Sequence, residues 1–140
     1  MTKEIWLNLP VKDLEKSKAF FAAIGFSLNT KFGNSDVSAS LLVGTKNVAI
    51  MLFAEHVFKS FVQGEVADTT KGSEVLISID AESKEEVDEL ADKAVKAGGN
   101  LFGPPSESQG WMYGCAFADL DGHKWNVLFM DMSKMPGAAQ

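Results

Sequence analysis

A glutamate in an apolar run, a lone cysteine, two histidines and scattered tryptophan, methionine and asparagine are the residues whose types could do chemistry here. Glu74 opens EVLISID, where alternation sets Glu74, Leu76 and Ser78 opposite Val75, Ile77 and Ile79. A carboxylate on an apolar wall loses hydration and becomes a general base or an anchor for a cation. The competing account is a strand-end glutamate reaching water after the polar TTKGS. Cys115 would need a histidine or lysine beside it to act as a nucleophile. His56 and His123 fall in a connector and a hairpin turn, so they read as surface residues and Cys115 as a buried, inert thiol. Trp6, Met51, Trp111, Met112 and Tyr113 read either as an aromatic pocket for a flat ligand or as plain core filling. Asn8 and Asn126 could orient a ligand by hydrogen bonds, or each could bond to a neighbouring strand. GGNLFG has no helix after it, which removes the usual basis of a phosphate loop.

These residues need elements to hold them. EIWLNLPV alternates, with Ile5, Leu7, Leu9 and Val11 on one side and Trp6, Asn8 and Pro10 on the other, as in a strand with one face buried. Asp13 stands where a helix N-cap belongs, and Leu14, Ser17, Phe20, Phe21 and Ile24 form a helical stripe that Gly25 ends. FSLNTKF, VSASLLVG and NVAIMLFA read as three strands, separated by the turn signals GNSD and GTKN. HVFKSFV suits a short helix, and GEVADTTKGS a connecting loop. After EVLISID, Ser83 and Glu86 form a capping box for a helix whose stripe is Val87, Leu90, Ala91, Ala94 and Val95. A short strand at NLFG, a Pro-Pro/Ser loop, and the strands WMYGCAFADL and HKWNVLFMD follow, the last two joined by a turn at Asp119. Trp125, Val127 and Phe129 share the helix-packing side, and Cys115 shares a side with Tyr113 and Phe117. The order β-α-β-β-β thus occurs twice.

The 140 residues, 46% of them hydrophobic and 23% charged, suit one compact domain rather than a disordered chain. Its bounds are expected at 1–132, with modules at about 4–54 and 74–131 and a loose tail over 133–140. Thirteen basic against nineteen acidic residues leave a net charge of −6, which argues against nucleic-acid or anionic-membrane partners. No apolar run nears the roughly 20 residues of a membrane span, and MTKEIWLNL lacks the layout of an export signal. With a single cysteine, a cytoplasmic location is the expectation.

The paired β-α-β-β-β units, NLPVKDLEKSKAFFAAIGF near the front and FADLDGHKWNVLF near the end resemble the vicinal oxygen chelate superfamily. That superfamily includes glyoxalase I, extradiol dioxygenases and bleomycin-resistance proteins. The likeness runs from about Glu4 to Asp131. It implies an α+β fold of two tandem βαβββ modules whose sheets curl around a shared cavity, with the helices outside. Catalytic members hold a divalent metal with His or Gln, Glu, His and Glu, and the matching positions here are Trp6, Met51, Glu74 and Asn126. Trp6 has no lone pair to give, Met51 offers a soft thioether and Asn126 a neutral oxygen, so no cofactor, the divalent metal included, is expected. What the resemblance then implies is a homodimer of the bleomycin-resistance type, binding a small organic molecule in the inter-sheet cavity. Trp6, Asn8, Met51, Trp111, Tyr113 and Asn126 would contact it, and Glu74 would supply charge. The alternative is a lyase or dioxygenase-type enzyme with an atypical metal site or with Glu74 as base.

Overall fold

The computed structural model describes residues 1–137, and the chain divides into two compact units, one ending at Thr70 and the other beginning at Lys71. The first contains β1 (Leu7–Val11), α1 (Leu14–Ala23), β2 (Ser27–Leu28), β3 (Ser38–Val43), β4 (Val48–Ala54) and α2 (Glu55–Val62). The second contains β5 (Leu76–Asp80), α3 (Lys84–Lys96), β6 (Asn100–Ser108), β7 (Met112–Ala118) and β8 (Lys124–Met130). Each unit builds an open four-stranded sheet, in the orders β1-β4-β3-β2 and β5-β8-β7-β6. The first strand of each runs parallel to the last, and the remaining pairs are antiparallel. The two-module α+β architecture expected from the repeat is therefore present.

Local chemistry explains the helices. The Asp13 carboxylate accepts from the Lys16 amide at 3.1 Å, and Gly25 takes a positive φ of 102° just past the helix end. Ser83 accepts from the Glu86 amide at 3.1 Å, while Glu86 reaches back to the Glu82 amide at 3.0 Å, one residue before the usual capping-box partner. On the covered face of the first sheet, Leu41, Ile50 and Leu52 are buried together with Phe20 and Phe21 of α1. Burial of each such side chain contributes about 2 kcal/mol. In the second unit Phe117 and Trp125 stack at 6.3 Å between ring centres, and Val127 and Val87 join them out of contact with water.

Several stretches depart from the expectation. β1 begins at Leu7, leaving Ile5 and Trp6 exposed ahead of it, and β5 begins at Leu76, leaving Glu74 and Val75 exposed. FSLNTKF is a strand only at Ser27–Leu28, because Asn29 turns the chain: its Oδ1 accepts from the Lys31 amide at 2.9 Å. The Asn34 amide closes that turn on the carbonyls of Asn29 and Phe32. The expected Pro-Pro/Ser loop is instead part of β6, which runs nine residues through Pro104 and Pro105. An edge strand tolerates two missing N–H groups, and the register shifts flanking Gly103 and Ser106 absorb the irregularity. Val95, expected in the buried stripe of α3, is half-exposed. At the start of the expected tail Ser133 is held in a turn, its amide and hydroxyl donating to Asp131, and residues 138–140 lie outside the described residues.

Candidate functional site

In each unit one sheet face is covered by α1 or α3, and strand alternation decides which residues the opposite, more open face receives. In the first unit α2 and the loop after Asn29 cover part of that face. In the first unit Asn8, Met51 and Ser40 lie side by side across β1, β4 and β3 on that open face. The loop after Asn29 folds back over this row. Gly33, at φ +80°, sits so close that a Cβ there would come 2.9 Å from Met51 Cε and 3.0 Å from Ser40 Cβ. Ser38 fastens the loop by donating to the Gly33 carbonyl at 2.9 Å. One row further on, Phe53 meets Phe61 of α2 edge to face, with ring centres 5.0 Å apart. Trp6 lies immediately ahead of β1 and is more than half exposed.

In the second unit the corresponding row is Ser78, Asn126 and Ala116, with Gly103 beyond Ala116 on β6. Asn126 donates to Ser78 Oγ at 3.4 Å, a long bond. The row before it holds Leu76, Lys124 and Ala118, and the Lys124 ammonium lies 5.5 Å from the centre of the Phe102 ring. Met112 and Met130 pair at the far end of this open face. Trp111 belongs to the turn before β7, where its indole Nε1 is buried without a hydrogen-bond partner among the described residues.

Tyr113 corrects the sequence reading. It pairs with Phe129 and alternates with Cys115 and Phe117, so it projects towards α3 and away from the Asn126 face. Its hydroxyl donates to Asp88 of α3 at 2.6 Å, and that bond raises the tyrosine pKa above its ordinary value. Lys84 lies over the same ring at 5.6 Å and pairs with Glu107 at 2.5 Å. Tyr113 therefore ties α3 to its sheet and cannot share a surface with Asn126.

Cys115 is buried beneath α3, where desolvation pushes its thiol up to about 11. At neutral pH it is a thiol rather than a nucleophilic thiolate. Asp119, which the sequence suggested only as part of a turn, is a buried carboxylate. Its Oδ1 accepts from the amides of Asp121 and His123, both at 3.0 Å, and its Oδ2 from Trp125 Nε1 at 3.1 Å. Burial raises its pKa, against the opposing pull of His123 and these bonds. His123 is in this turn, and His56 is exposed on α2.

The donors at the positions matched to the superfamily's metal ligands do not suit a hard divalent ion. Met51 and Asn126 are a thioether and an amide on open faces, Trp6 has no donor lone pair, and Glu74 is a single exposed carboxylate. Among the described residues, no three or more His, Cys, Asp or Glu side chains come together in a metal-binding arrangement. No described helix is long and apolar enough to cross a membrane.

Comparison with known proteins agrees with this architecture. A family model described as bleomycin resistance protein-like N-terminal matches residues 3–37. No match is found among curated proteins. The chain is 37% identical to hypothetical protein SA1046 from S. aureus, over 92% of this chain and 94% of that one, with a TM-score of 0.81. Two further structures share the fold at lower identity. A glyoxalase/bleomycin resistance protein/dioxygenase family enzyme from Burkholderia phytofirmans PsJN is 23% identical over 89% of this chain and 96% of that one, with a TM-score of 0.75. A glyoxalase-related enzyme from Fulvimarina pelagi is 20% identical over 92% and 88%, with a TM-score of 0.78. With its doubled β-α-β-β-β plan, its matched front segment and these relatives, the chain belongs to the glyoxalase/bleomycin-resistance/dioxygenase, or vicinal oxygen chelate, superfamily.

Proposed function

We propose that this protein binds a small organic molecule against the open faces of its sheets and does so without a divalent metal. One observation carries the reading: Met51 and Asn126, at positions matched to metal ligands, lie on the open faces of their units but offer only a thioether and an amide. Such a surface holds a ligand by apolar contact and hydrogen bonds rather than by Lewis-acid chemistry. Asn8, beside Met51, and Asn126, with its long bond to Ser78, supply the polar contacts. Trp6 and Trp111 supply aromatic surface. Glu74 supplies charge towards a hydrogen-donating group of the ligand. On this reading the protein works as a cytoplasmic homodimer, an assembly taken from the superfamily resemblance.

The experiment is a thermal-shift screen of aromatic and charged small molecules, repeated with a chelator, alongside elemental analysis of the purified chain. Binding is expected to raise the melting temperature by mass action, unaffected by the chelator. A tightly held stoichiometric divalent ion, with ligand shifts that vanish on chelation, would overturn the reading. A turnover activity lost in Glu74→Gln but retained in Asn126→Ala would replace it with catalysis by Glu74.

A further inference from the structure

We infer that the open face of the second unit receives the anionic group of an organic acid, with Lys124 as its counter-charge and Asn126 as a neighbouring donor. The inference rests on the open faces being the ligand surface, and adds the chemical class of ligand. In HKWN the two-residue period sends Trp125 into the core and leaves Lys124 and Asn126 together on the other side. β8 is an interior strand, so Lys124 rises from the middle of the sheet between Leu76 and Ala118 rather than from an edge. Its ammonium lies over the Phe102 ring. An aromatic face attracts a cation through its quadrupole but does not neutralise it, so the full positive charge remains for a ligand.

The contrast with other lysines sharpens the point. Lys18, Lys59, Lys84, Lys96 and Lys134 each face a carboxylate. Lys124 has none within ion-pair distance among the described residues, although the chain carries nineteen acidic side chains. Asp80, on the same open face, is four residues along β5 from Leu76, the register partner of Lys124, which is roughly 13 Å. Asn126 is two residues from Lys124 and holds Ser78 only at 3.4 Å, so its amide can turn to an incoming oxygen. Phe102 and Leu76, both substantially exposed, flank the charge with apolar surface for the carbon skeleton. A carboxylate and a phosphonate satisfy this chemistry alike.

The test compares four probes of similar shape on the full chain by calorimetric titration: benzoate, phenylphosphonate, neutral benzamide and benzylammonium. Both anions are expected to bind at least about tenfold more tightly than benzamide, as a charge-assisted contact requires. Lys124→Gln should remove that preference while leaving benzamide binding, Lys124→Arg should restore most of it, and Lys93→Gln on the exposed side of α3 should change nothing. Circular dichroism of each variant verifies the fold. Equal affinity for benzoate and benzamide, or an anion preference that survives Lys124→Gln, overturns the inference. Binding of benzamide and benzylammonium without preference for the anions overturns it while leaving the proposed function standing. Binding of none of the four overturns both.

Discussion

Replacing Asp119 with alanine tests how the turn between β7 and β8 fixes the strand that carries Lys124 and Asn126. The carboxylate accepts three hydrogen bonds, and their losses are unequal. The amides of Asp121 and His123 lie in a partly exposed turn where water can replace the carboxylate, so each costs about 0.5 kcal/mol. Trp125 is fully buried, and its orphaned indole N–H costs about 2 kcal/mol. The sum is about 3 kcal/mol, or a fall of about 10 °C in melting temperature for a chain of this length. Urea denaturation at pH 7 measures it, and Trp125→Phe supplies the control. With the indole donor absent, Asp119→Ala should cost only about 1 kcal/mol more. A wild-type-background loss under 1 kcal/mol, or the same loss in both backgrounds, would refute the assignment of this carboxylate as the indole's partner.

Because burial raises the pKa of Asp119, its native form takes up a proton more readily than the unfolded chain does. The part of its contribution that is linked to proton uptake is therefore fully present below its ordinary value of 3.8 and lost as pH rises through the raised folded value, which leaves the hydrogen-bond contribution at pH 7 in place. Wild-type stability relative to Asp119→Asn should accordingly decline across that window, and a pH series of urea midpoints reads it. Gly33→Ala forces a side chain into positive φ against Met51 and Ser40 and should cost about 2 kcal/mol by the same denaturation assay. Ser83→Ala removes the cap of α3 and should cost about 1 kcal/mol, whereas Ser83→Gly should cost only about 0.3 kcal/mol. Cys115 should resist a thiol-specific chromogenic reagent at pH 8 in the native protein and react fully once urea unfolds it.

Much of the fold was legible because its signals are local. Asp13, Gly25 and Ser83 mark helix ends by satisfying or redirecting the backbone within four residues, and two-residue alternation separates Trp125 and Val127 from Asn126. What escaped depends on partners distant in sequence. Pro104 and Pro105 argue for a loop until β7 is seen to pair beside them on one side only. Strand propensity alone does not show that the Asn29 side chain stops β2. Residue type alone groups Tyr113 with the pocket aromatics, although its alternation with Cys115 sets it on the α3 side. Lys124 shares the period of Asn126, but a lone lysine carries no pattern in the sequence until the ring beneath it is located.

The paired prolines of β6 also limit how copies of this chain can meet. A foreign strand that tried to lengthen the second sheet beyond β6 would find no amide hydrogen at Pro104 or Pro105, in the middle of the nine-residue margin. The rung spacing there is already broken on the other side by the irregular match to β7. That margin is a poor template for runaway polymerisation, and self-association has to be sought on other surfaces.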